Sequence, residues 1–274
     1  MVRLVPTIGL LLALAGNVNA QWLSQRDPKT PRTADGKANL SAPAPRVNGR
    51  PDLSGVWQSE RTPAEEFVKA LGPGFTQLQV DFNDINKYVL NVFWGTKLDE
   101  EPLKSEGAAI LKRRLSGSEQ FQGASCLPAS LPASMNILAF KMIQAPNQIV
   151  VMLENGDPAR QIHTDGRSLP KDPNPSWMGY SVGGWQRDTL VVNTVGITTR
   201  AWVDGFGHPR SEDMRITERF HRRDFGHMDV AVSIEDAKYY TRPFGYTTTL
   251  TLLPDTDVLE YVCAENQKLR VPPR

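Results

Sequence analysis

The chain has 274 residues, with 31 Lys and Arg against 30 Asp and Glu and only four histidines. Arg3 is the sole charge in the first 20 residues, so 30 basic groups balance 30 acidic ones beyond them. This excludes the basic excess that marks a nucleic-acid binder, and a chain this long buries a substantial core as one large β domain or two smaller ones.

The opening MVRLVPTIGLLLALAGNVNAQW reads as a secretory signal over residues 1–20: one Arg, a short apolar run, and a cleavage site at Val18-Asn19-Ala20. The run is shorter than the roughly 20 apolar residues of a membrane span, and no later segment spans, so the mature protein is expected to be soluble and exported. Residues 21–50 are rich in Pro, Ala, Asn, Arg and Lys and read as a flexible leader. The folded part, expected as one domain over 51–274, begins at PDLSGVWQS, where Leu53, Gly55 and Trp57 alternate as in a first strand. A short helix is expected from Glu65 to about Leu71, closed by Gly72-Pro73-Gly74, and another in SEGAAILKRRL, whose Lys112-Arg113-Arg114 reads as a solvated face.

After Cys126 the pattern changes to short strands between turns. NQIVVMLENG ends in Asn-Gly and RQIHTDG in Asp-Gly, while GGWQRDTLVVNTVG turns at Gln186-Arg187-Asp188. MRITERFHR alternates, and in HMDVAVSIED residues Met228, Val230, Val232 and Ile234 share a face. A last hairpin is expected around Pro254-Asp255-Thr256-Asp257. Short strands at this spacing imply an antiparallel sandwich or barrel, with short helical insertions near the N-terminal third.

The isolated pair Cys126 and Cys263 is most simply a disulfide in an oxidising compartment; a catalytic thiol is the alternative, though neither has a neighbouring His. In RQIHTDGR, alternation puts Gln161, His163 and Asp165 on one face. His163 is a candidate general acid–base that Asp165 orients, against the simpler reading of Asp165-Gly166 as a turn. Asp204 and His208 in AWVDGFGHPRS form a second candidate on a Gly-rich loop. Glu218 falls on the apolar face of its strand with Met214, Ile216 and Phe220. It therefore needs a strong partner, with Arg167 or another interior Arg expected, or else acts as a carboxyl of raised pKa.

His163, His208 and Asp204 have donors suited to a metal, but not the short zinc spacings, and no metal is expected. Neither a P-loop nor a dinucleotide fingerprint is present, so no cofactor is implied. Ser181 lacks the nucleophile-elbow setting. Trp177, Trp185 and Trp202, with Arg167, are candidates for the walls of a small-molecule pocket.

The succession PDLSGVW, CLP, IVVMLE, RQIHTDGR, DTLVVNT, ERF, IED, YTRPF and VCAEN resembles a family of exported, largely uncharacterised bacterial proteins, over about Pro51 to Asn266. The resemblance implies a lipocalin-like, calycin-type barrel and no settled activity. Relatives commonly read W-E-G-D-T-L-V-V where this chain has Trp185-Gln186-Arg187-Asp188, and often carry an acid where Tyr180 stands. A mechanism resting on acids at 180 or 186 is therefore unavailable to this chain. Two functions follow: a cofactor-independent acid–base enzyme (isomerase, lyase, cyclase or hydrolase) acting on a small apolar or aromatic compound, or a periplasmic carrier with the same pocket and no turnover. An envelope interaction protein, tethered by residues 21–50, is a weaker third.

Overall fold

The structure is a computed structural model that describes residues 26–72 and 85–263. The expected signal segment and the ends of the motif at Pro73-Gly74 and Asn266 lie outside the described residues.

Alternation along the strands builds the fold. A strand that buries every second residue offers one apolar face, and closing the sheet on itself buries that face and removes both edges. Nine strands do this: β3 (Gly55–Ser59), β4 (Phe140–Ala145), β5 (Gln148–Leu153), β6 (Arg160–His163), β7 (Tyr180–Gln186), β8 (Thr189–Val195), β9 (Arg215–Arg222), β10 (His227–Glu235) and β11 (Phe244–Leu252). They close in the order β10-β11-β3-β4-β5-β6-β7-β8-β9. β9 buries Ile216, Glu218, Phe220 and Arg222, and β10 buries Met228, Val230, Val232 and Ile234. β10 and β11 approach so closely that a Cβ on Gly245 would lie 1.9 Å from the Val232 carbonyl oxygen, which admits only glycine there.

All pairings are antiparallel except β6 with β7, where Ile162 faces Ser181 and His163 faces Val182 in parallel register. The sheet is thus mixed rather than wholly antiparallel. The connection from Thr164 to Gly179 turns the chain back past the end of β6, so that β7 starts beside it and runs the same way.

This topology makes the two ends unlike. At one end the turns are tight: Pro146-Asn147, Arg187-Asp188 with Arg187 at φ 55, and Arg223 to Gly226. At the other, the long connections gather: the described parts of 60–139, with 154–159, 196–214 and 236–243. The first of them carries α1 (Ala64–Leu71), α2 (Lys87–Leu90) and α3 (Ser105–Leu115), in keeping with the two expected helices. A turn over Ala133–Asn136, buried throughout, plugs this loop-rich rim. Asn136 donates to the Tyr246 hydroxyl at 2.6 Å and accepts from Ser59 at 2.9 Å.

Residues 26–50, expected as a flexible leader, instead have defined partners at the tight-turn end. Strands β1 (Arg46–Val47) and β2 (Arg50–Pro51) pair with each other. Arg32 bridges to Asp255 at 2.6 Å and Arg46 to Asp188 at 2.7 Å. The amides of Phe225 and Gly226 donate to the Ala42 and Leu40 carbonyls. Polar pairing and backbone bonds hold this arm, which its low apolar content could not signal.

Among the described residues the second arm of the expected final hairpin is not a strand. Beyond β11 the chain continues without a strand across the outside of β4 and β5, held by Lys141–Asp257 at 2.7 Å and by the Leu259 amide on Glu154 at 3.2 Å. This segment is tied down by the disulfide Cys126–Cys263, with a Cα–Cα distance of 5.6 Å.

Candidate functional site

The lumen is filled rather than hollow. Trp57, Phe140, Met142, Phe220 and Arg160 are among the largest fully buried side chains, and the free space beside Glu218 is only about 10 Å³. Glu218 meets Arg160 here, not Arg167: Nη1 donates to Oε1 at 3.0 Å and Nη2 to Oε2. Arg160 also donates to Thr194 at 3.1 Å and to Ser181 at 3.3 Å. The register explains the exchange. Arg160 opens β6 on the inward face, as Ile162 does, whereas Arg167 lies beyond the strand's end. A bidentate guanidinium with two hydroxyl supports satisfies both charges where an unpaired carboxylate would be costly.

Arg167 is exposed and holds Asp165, its Nη2 2.6 Å from Oδ2 and its Nε 2.9 Å from Oδ1. This guanidinium lowers the Asp165 carboxyl to about 2. Asp165 therefore does not orient His163; it caps its turn by accepting from the Arg167 amide and pairs with the Arg167 side chain. His163 sits half-buried on the outer surface, its ring 5.1 Å from that of Tyr180. Tyr180 accepts from Arg167 at 3.1 Å beside a shallow concavity of about 360 Å³.

At the loop-rich rim the imidazole of His208, wholly buried, lies between two carboxylates. Nδ1 is 2.6 Å from Asp204 Oδ2 and Nε2 is 2.9 Å from Glu101 Oε2. Burial alone would push the imidazolium down, but the Asp204 and Glu101 charges and hydrogen bonds outweigh it and raise the group to about 9. Asp204 is itself saturated, accepting from the amides of Val92, Phe206, Gly207 and His208 at 2.9 to 3.2 Å. The sequence pointed to the Asp204–His208 pair but missed Glu101, more than a hundred residues away and without a local motif. With both ring nitrogens committed, His208 clasps the loop between β8 and β9 to the segment after α2. Among the described residues no group of three or more His, Cys, Asp or Glu side chains is suited to a metal ion.

The cavity that the filled lumen denies appears beside this clasp. About 870 Å³ opens at the rim between α2, the segment 121–129, the turn before β4, the β5–β6 connection and the disulfide. Val89, Leu90, Leu127, Ile137, Trp202 and Tyr261 supply apolar wall. The ring of Phe121 meets Trp202 edge-on at 5.4 Å. Behind Trp202 stands Arg114, 4.8 Å from the ring and donating to the Gly207 carbonyl at 3.0 Å, so the end of the expected solvated face is largely buried. Arg210 fixes the same wall by reaching the Trp202 carbonyl and, at 3.2 Å, Ser130 Oγ.

Of the residues singled out from sequence, Trp202, Asp204, Cys126 and Cys263 line this cavity. Trp177 and Trp185 stand elsewhere, under Arg200 at 5.1 Å and Arg50 at 5.7 Å. His163, Arg167 and Glu218 lie outside it. The cavity adds Asp157, which sequence reasoning passed over because ENGDP reads as an ordinary turn. Burial pushes its carboxyl up, only partly offset by hydrogen bonds from Ser134, the Ala129 amide at 3.0 Å and Asn155 at 3.2 Å.

Comparison of the chain with protein-family models, with curated proteins and with solved structures finds no match. No described helix is long and apolar enough to cross a membrane.

Proposed function

We propose that this protein is an exported ligand-binding or carrier protein that holds a small apolar or aromatic molecule in the cavity at the loop-rich rim. The cavity itself carries the reading: about 870 Å³ lies within the range of small-molecule sites, roughly 300–1,000 Å³. Its wall is largely aliphatic and aromatic with a few polar groups, and it is braced by buried ion pairs and a disulfide. Export is supported by that disulfide, which persists in oxidising compartments, together with the N-terminal apolar run. The closed barrel is compatible with the lipocalin-like class that the resemblance implies, with the ligand at the rim rather than in the lumen.

Binding is favoured over acid–base turnover because the groups named for catalysis do not converge. Asp204 alone among them lines the cavity, and its oxygens are taken by the His208 ring and four backbone amides. The neutral dye Nile red should brighten on the wild-type protein, and Leu138→Trp, which fills the cavity from its wall, should abolish that signal. Undiminished dye binding by a folded Leu138→Trp variant refutes the assignment.

A further inference from the structure

The cavity's polar groups have a common sign. Among the described residues the lining includes the carboxyls of Asp157 and Asp204, but no Lys, Arg or His. Asp204 is compensated by the His208 imidazolium. Asp157 is not: its hydrogen-bond partners, Ser134, Asn155 and the Ala129 amide, are all neutral, and it forms no ion pair among the described residues. A carboxyl partly removed from water without a counter-charge is held at a cost that a cation placed beside it would reverse.

A second, independent group has the same demand. Gln122 is 6% exposed and belongs to the cavity wall, yet its side-chain Oε1 has no hydrogen-bond partner. Buried acceptors are rarely left so, and each costs about 1–3 kcal/mol while it stays unmet. Gln122 opens a short turn over Gln122–Ser125, just ahead of Cys126, so the disulfide anchors the backbone next to it at the cavity wall. Both acceptors call for a donor, and the Asp157 carboxylate repels an anion. The aromatic faces of Trp202, Phe121 and Tyr261 in the same cavity also attract cations.

We infer that the rim cavity selects an amphipathic amine, an apolar body carrying an ammonium group that pairs with Asp157, over a fatty acid or other apolar anion of the same size. The inference rests on the binding function proposed above and names the ligand class for that site.

Three probes of equal chain length separate the two ideas: dodecylamine, dodecanol and dodecanoate, titrated by calorimetry at neutral pH below their micellar concentrations. Dodecylamine should bind at least about tenfold tighter than dodecanoate, with dodecanol between them. Asp157→Asn should bring amine and alcohol to within about threefold of each other while dodecanol affinity holds. If Asp157→Asn does not fold, the wild-type protein supplies the readout instead. Because burial raises the Asp157 carboxyl, dodecylamine binding should release protons from it increasingly as pH is lowered, seen as a dependence of the heat on buffer ionisation, and dodecanol should release none. Equal binding of dodecanol and dodecylamine, tighter binding of dodecanoate, or amine binding without proton release overturns the inference while leaving the cavity's binding function standing. Failure of all three probes to bind removes both.

Discussion

His208 is the strongest point at which pH should report on this fold. Its ring is wholly buried between Asp204 and Glu101 and titrates near 9, against an unfolded value of about 6.5. The folded value is the higher one, so the native state holds the proton more tightly. The stabilisation is fully present below about pH 6.5 and is lost as pH rises through 9. A separation of about 2.5 units at about 1.36 kcal/mol each gives about 3 kcal/mol. Urea unfolding of the wild-type protein at intervals from pH 6 to 9.5 should therefore show stability falling, with about 2–3 kcal/mol attributable to this group. His208→Gln removes the titration but keeps a donor for one carboxylate. It should be less stable at pH 6 by about 3–5 kcal/mol, the range for breaking a buried pair, and flatter across the window. Comparing the two proteins isolates the ring from the buried hydroxyls of Tyr240 and Tyr246, whose ionisation burial pushes up beyond this range. The argument is refuted if ring resonances titrate near the unfolded value, or if wild-type and variant slopes coincide.

Other substitutions test the remaining assignments. Glu218→Leu strands the Arg160 guanidinium in the lumen and should cost about 3–5 kcal/mol, whereas Arg160→Met with Glu218→Leu should recover most of it, by urea midpoints. Alkylation of native protein should label neither Cys126 nor Cys263. Reduction, which opens a loop spanning 137 positions, should lower stability by up to about 5 kcal/mol. Asp165→Asn touches an exposed pair only, so its urea midpoint should match the wild type, and a large loss would contradict its role as a surface turn.

The sequence carried what local periodicity encodes. Alternation in β9 and β10 alone places Ile216, Phe220, Met228 and Val232 inside, where they are found, and the odd carboxylate on that face marks Glu218 as needing a partner. Two isolated cysteines announced their own bond. Asp204 and His208, four apart on a Gly-rich loop, were legible because their pairing is local. What remained hidden is non-local. Whether β6 joins β7 in parallel, and whether Arg160 or Arg167 reaches Glu218, depends on strand register across the sheet, which single strands do not specify. Glu101 reaches His208 across a long connection, and Asp157 is pushed up only because other segments take water away from it. The cavity is the clearest case: segments from 85 to 263 make its wall, and no one of them is concave alone. Composition and alternation determine that β strands close over a shared apolar face, as a sandwich or a barrel, because burial acts residue by residue. Tertiary structure alone decides where the space is left, because a void belongs to the packing of distant segments and to none of their sequences.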